Sequence, residues 1–107
     1  MNVVPAVALG PWWQELARAA PAGRGRDALS VGVRPELARL DAGGMEARVL
    51  AIEYLGADTL IDTRIGEVPF VLRMPARPRL ASGDSVAIAW DASATHWFDA
   101  HTGLRIA

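Results

Sequence analysis

The stretch HWFDAHTG, residues 96–103, puts two histidines and an aspartate (His96, Asp99, His101) within six residues. Such a set suits a metal centre or an acid–base pair. Strand alternation decides against both. In THWFD, His96 and Phe98 face one side, and Trp97 and Asp99 the other. His96 and Asp99 therefore do not converge on one ion while the strand is regular. Two histidines give two ligands where zinc takes three or four, and Asp91 is the only further carboxylate close in sequence. A turn uses more of the residues. Asp99 accepts backbone N–H groups ahead of it, Thr102 does the same more weakly, and Gly103 is free to take φ > 0. The chain then folds back and pairs HWF with LRI.

Composition closes other routes. There is no cysteine, so disulfides, thiolate zinc sites and cysteine nucleophiles are excluded. All eleven basic residues are arginine, which removes a lysine Schiff base and the lysine of a phosphate-binding loop. The formal net charge of −1 argues against a nucleic-acid surface. Trp90, Trp97 and Phe98 are read as core or interface, because no basic groove accompanies them as a stacking platform. No GxSxG, HExxH or phosphate-loop motif occurs. Ser82 and Ser85 have no histidine placed beside them, and Glu46 and Glu53, seven apart on a strand, are expected on opposite faces. No catalytic residue and no metal ligand is assigned.

The elements that would carry these residues are short. The 107 residues form one domain-sized unit. Residues 1–10 read as an extended arm or edge strand, with Pro5 confined to an edge. Pro11 opens a short helix in PWWQELARAA, whose Trp12, Trp13, Leu16, Ala17 and Ala20 share a face, and Pro21 ends it. A Gly/Arg-rich loop fills 21–28. Residues 1–28 are thus an arm, helix and loop packed on the main unit at 29–107. From 29 onward the period is that of strands. LSVGVR stops at Pro35, and a helical turn and the DAGG loop at 41–44 follow. MEARVLAIEYL begins with alternation and becomes apolar on both faces, as expected of a strand crossing a barrel. TLIDTRI and VPFVLRM join through Gly66-Glu67, and SVAIAW follows a Pro-rich loop. The expected fold is all-β, an OB-like small barrel of five or six short strands with a short N-terminal helix. No run reaches the 18 or more apolar residues of a membrane-spanning helix.

The order of motifs is more specific than any one of them. MNVVPA opens the chain. Val33-Arg34-Pro35-Glu36, Glu53 with Leu55-Gly56, Gly83-Asp84 with Val86, and His96, Phe98, Asp99, Thr102 and Gly103 follow in series. This series resembles the C-terminal regulatory region of ATP-binding subunits of sugar-type ABC importers, the TOBE (transport-associated OB) domain. The match covers residues 29–107 well and residues 1–6 moderately. Leu37 departs from the histidine usual after the RPE motif, and the tryptophan pair is foreign to the family pattern.

The resemblance implies a non-catalytic regulatory and dimerisation domain. Its partners would be a second copy of itself, the ATPase domain of its own subunit and, through that domain, the membrane permease subunits. A regulatory protein would share the same surface, and no nucleic acid is involved. It implies a cytoplasmic location beside the inner membrane. It implies no cofactor in this chain, ATP and magnesium belonging to the ATPase domain. The self-association surface is expected around Val49, Leu50, Ile52 and Leu55, whose apolar area exceeds what a small core hides. The competing reading is a free-standing OB-like domain that binds a small anion or an oligonucleotide.

Overall fold

A computed structural model describes residues 1–106; Ala107, the end of the expected last strand, lies outside the described residues. Seven strands form two antiparallel sheets. The first sheet has the order β1-β2-β7, from Asn2–Pro5, Leu29–Val33 and His96–Asp99. The second has the order β5-β4-β3-β6, from Val68–Met74, Asp58–Ile65, Arg39–Leu55 and Ser85–Ala89. The fold is all-β and OB-like, with the sheets facing each other and no closed barrel.

Local chemistry explains the second sheet. β4 alternates strictly: Thr59, Ile61, Thr63 and Ile65 are buried and Asp58, Leu60, Asp62 and Arg64 are half-exposed. That is the period-2 pattern of a strand with one face in the core. Two-residue loops join β3 to β4 (Gly56-Ala57) and β4 to β5 (Gly66-Glu67). In each the glycine takes positive φ (76° and 60°) and the second residue does not. This is the signature of type II′ hairpin turns, whose twist matches that of the strands.

The expected loop at 41–44 lies inside β3. Leu40 and Met45 both stand opposite Ile88, so Asp41–Gly44 bulge outward without ending the strand. A Cβ at Gly44 would strike the Ile88 carbonyl. The bulge makes β3 one run of seventeen residues, and with β1 paired as a strand the described residues hold seven strands where five or six are expected.

A second correction concerns residues 49–55. Only Val49 is core; Leu50, Tyr54 and Leu55 are exposed. The β3–β4 hairpin end, Glu53–Ala57, is exposed, and the molecule measures 43 × 23 × 22 Å. Apolar side chains on both faces here belong to an exposed hairpin end, not to a strand crossing a barrel.

The core lies between the sheets. Val4, Leu29, Val31, Val33 and Trp97 meet Val49, Ile61, Phe70, Leu72 and Ile88. Residues 6–19 close one end as a lid of short helical turns, Ala6–Trp12, α1 at Trp13–Leu16 and Ala17–Ala19, interrupted at Gly10 (φ 55°). The helical face expected from the sequence is present: Leu16 is fully buried, Trp12, Trp13, Ala17 and Ala20 are half-buried, and Gln14, Glu15 and Arg18 are exposed. Trp12 packs edge-on against Trp90 (5.7 Å between centroids), which stacks on Phe70 (5.6 Å); Trp13 packs edge-on against Trp97 (6.0 Å). Each such pair adds about 0.5–1.5 kcal/mol beyond its buried area.

The two sheets meet at β1 and β5 without a backbone ladder. The Asn2 side chain bridges the gap: its Nδ2 donates to the Val71 carbonyl (2.7 Å), and its Oδ1 accepts the Val71 N–H (2.8 Å). One buried amide thus supplies what a paired strand would. Asn2→Ala is expected to destabilise the chain by about 1–3 kcal/mol, because it leaves both Val71 groups without partners. Val3→Ala, on the exposed face of the same strand, is expected to stay within about 0.5 kcal/mol. Urea unfolding of the two variants checks this, and equal midpoints would refute the bridge.

Candidate functional site

The C-terminal turn is built around one carboxylate. Asp99 Oδ1 accepts the backbone N–H groups of His101 (2.8 Å) and Thr102 (2.9 Å). Its Oδ2 pairs with Arg24 Nη1 at 2.8 Å. The Asp99 carbonyl accepts the N–H of Gly103, and its own N–H donates to the Leu104 carbonyl. Thr102 Oγ1 accepts the Leu104 N–H at 3.2 Å. Gly103 has φ 74°. The returning segment then bridges Phe98 to Arg105. The N–H groups of Thr102 and His101, and then Arg24, hold the Asp99 carboxyl down to about 2 from its ordinary 3.8.

The other motif residues also make turns. Gly83 (φ 94°) lies third in the Ala81–Asp84 turn, closed by the Asp84 N–H on the Ala81 carbonyl, as a type II turn requires. The Asp84 carboxylate accepts the Ala81 N–H at 2.8 Å. Gly83 and Asp84 then pair with Val49 through their backbones and dock β6 on β3. Pro35 opens a single helical turn, Pro35–Leu37, whose Leu37 N–H reaches the Arg34 carbonyl. Gly56 forms the hairpin tip.

Arg34, Glu36 and Glu53 are exposed and form no ion pair among the described residues. His96 sits half-buried beside Gly32, with its Nδ1 facing Arg105. The motif positions are therefore dispersed over both sheets and converge on no single centre. Among the described residues no three histidine, aspartate or glutamate side chains lie together as a metal group. No helix among them is long and apolar enough to cross a membrane.

Glu46 and Glu53 correct the expectation from simple alternation. Arg48 stands opposite Arg64 and Val49 opposite Thr63, but Ala51 already stands opposite Asp62. Leu50 is the extra residue of a bulge, and it shifts the parity of the strand. Both glutamates therefore lie on the outer face, about 23 Å apart along the strand at 3.3 Å per residue. That separation is too great for an acid–base pair.

The sequence reads Arg24 and Arg26 only as a loose arginine pair in a solvated loop; the structure gives Arg26 fixed partners. Its Nε donates to the Ala6 carbonyl (3.2 Å), its Nη2 to that of Gly10 (2.8 Å), and its guanidinium lies over Trp13. With Arg24 on Asp99, the Gly/Arg loop ties the lid to the closing turn. The one sequence signal was the loose Arg24/Arg26 pair itself.

With this geometry in hand, comparison with known proteins identifies the architecture. The TOBE domain model matches residues 31–98, from β2 through the motif strand β7. The chain belongs to the TOBE domain family. An sn-glycerol-3-phosphate import ATP-binding protein of Cereibacter sphaeroides is 41% identical over 99% of this chain and 32% of its own length. The protein of the same name in Paracoccus denitrificans is 40% identical over 80% of this chain and 26% of its own. An oligosaccharides import ATP-binding protein of Bacillus subtilis is 30% identical over 70% of this chain and 23% of its own. The chain thus spans a third or less of the length of these relatives. The Cereibacter alignment extends through the lid, which the family model does not cover.

Two outcomes follow from the closing turn. Gly103→Val is expected to cost roughly 1–2 kcal/mol or more, because a β-branched residue is strained at φ 74°. Arg105→Ala is expected to cost less, about 0.5 kcal/mol, because Arg105 is exposed. Thermal unfolding separates the two, and equal shifts would contradict the turn. The depressed Asp99 carboxyl sets a pH window. Its folded value lies below the ordinary one, so its contribution is complete above about 3.8 and fades as pH falls toward 2. Wild type is expected to be more stable than Asp99→Asn near neutrality and to lose that lead across this window. A lead that persists at the lowest pH would overturn the assignment.

Proposed function

We propose that this chain is the regulatory and dimerisation domain of the ATP-binding subunit of a bacterial ABC importer for sugars or related solutes. The observation that carries the reading is the alignment of nearly the whole chain with one third of an import ATP-binding protein. The motif residues agree with a non-catalytic role, because they shape turns and dock strands. ATP and magnesium belong, in this reading, to a separate ATPase domain of the same subunit. That domain links this one to the membrane permeases, and the whole sits on the cytoplasmic side of the inner membrane. A regulatory protein that docks on the domain then acts on the coupled ATPase from a distance.

Self-association is assigned to the exposed hairpin end. Val49 is fully buried and Ile52 half-buried, so neither contributes the free surface expected of it. Leu50 and Leu55 remain exposed, and Tyr54 joins them with Arg77 over its ring at 4.9 Å. Tyrosine and arginine beside aliphatic side chains are the composition enriched at interface centres. A stable pairing buries on the order of 1,000 Å² or more. The isolated chain is expected to dimerise weakly, because in a complete transporter other contacts also hold the pair. Sedimentation equilibrium over a concentration series tests this. A monomer–dimer equilibrium is expected, abolished in Leu55→Glu with the melting temperature kept. A strict monomer at the highest soluble concentration would remove self-association from the reading. For the importer assignment, the coding sequence upstream of Met1 is expected to continue in frame from an ATP-binding domain.

A further inference from the structure

An antiparallel sheet with one face in a core usually turns polar side chains outward. The outer face of the second sheet departs from that pattern. The bulge at Leu50 keeps Arg48, Leu50, Ala51, Glu53 and Leu55 on the outer side of β3, while Val49 and Ile52 turn to the core. Leu50 and Leu55 are exposed. Leu60 of β4 and Val71 of β5, both half-buried, alternate with core residues and add to the same face.

The charges on this face are incompletely matched. Arg64 is held by Asp62 and Arg73 by Asp58, each at 2.8 Å. Arg48 and Glu53 are exposed and have no ion pair among the described residues. Arg48 also stands directly opposite Arg64, and like charges so placed repel. Arg48 is level with Arg64 and Glu53 with Leu60. The two unpaired charges therefore lie roughly 13 Å apart along the strand, at about 3.3 Å per residue of β4. Leu50 and Ala51 lie between them.

We propose that two copies of this chain pack these outer faces together, with Arg48 of each copy paired to Glu53 of the other. A two-fold axis between the facing sheets, crosswise to β3, reverses the strand direction and makes every contact twice. It sets each unpaired charge against its opposite, and Leu50 of the two copies meets at the centre. Asp62 also comes near the axis, where Arg64 of its own copy neutralises it. Leu55 is brought to the end where Leu9 and Pro11 of the second copy border its Glu46 and Arg48. Tyr54, on the inner side of the hairpin, stays at the rim. A parallel arrangement would instead set Arg48 on Arg48. The occupant is a second copy because the face carries both halves of its own complement. The proposal rests on the self-association reading and adds its face and register.

Sedimentation equilibrium of the whole chain reads the test. Arg48→Glu and Glu53→Arg are each expected to weaken the homodimer at least about tenfold, near 1.4 kcal/mol, because each sets like charges together twice. Mixed in equal amounts, the two variants are expected to associate as tightly as the unaltered chain, since both cross-contacts then join opposite charges. Both positions are exposed, so the fold is expected to be kept. Should either variant fail to fold, Arg48→Gln and Glu53→Gln replace them, and the double substitution is expected to cost no more than either alone; losses that add would overturn the pairing. Single variants that dimerise as tightly as the unaltered chain would overturn it too, as would weakened variants that the mixture does not restore. A chain that is monomeric throughout removes the self-association reading and this proposal with it. An unaltered dimer indifferent to the charge reversals leaves that reading standing and sinks only the register.

Discussion

Two small sheets can share a core only if the seam between them leaves no buried polar group unpaired. Here that condition rests on the Asn2 amide. β5 is an edge of one sheet and β1 an edge of the other, yet no ladder joins them. The side chain of Asn2 donates to one group of Val71 and accepts from the other, as an opposed backbone would. With the seam closed in this way, Val4, Val31 and Val33 are brought over Phe70 and Leu72. The lid can then seal the end, because its tryptophans find rings from both sheets, Trp90 beyond β6 and Trp97 on β7.

What the sequence made legible was chiefly turn chemistry. Asp99, Thr102 and Gly103 were readable because side-chain acceptors and a glycine at fixed offsets have one economical use. Gly66-Glu67 was readable for the same reason. β4 was readable as a strand from the hairpin turn that joins it to β5, and the lid helix from the spacing of Trp12, Trp13 and Leu16. The series of turn motifs also led to the family. The dispersal of those motifs in space fits that origin: each shapes its own corner of the fold.

The rest was hidden for identifiable reasons. The bulges at Asp41–Gly44 and Leu50 alter register without changing composition, so alternation put Glu46 and Glu53 on opposite faces when they share one. Where β3 is covered depends on its partners in space, which local pattern does not report; hence Val49, a core residue, was counted as surface. The roles of Asn2 and Arg26 depend on contacts across 69 and 20 residues. No local pattern announces Asn2, and the loose Arg24/Arg26 pair does not say what Arg26 meets.

The connectivity of the two sheets has a consequence for synthesis. β3, β4 and β5 are joined by two-residue turns, so each pairs with a strand that has just been made. In the other sheet Asn2 must find Val33, and Leu29 must find Asp99. Closing those longer loops carries the larger entropic cost. Within this domain β1 is made before β2 and has no partner until β2 has followed. β2 then keeps one open edge until β7 has been made. The β1-β2-β7 sheet is therefore the last to be completed, and the apolar strand LSVGV presents an unpaired edge while all of the other sheet is being made.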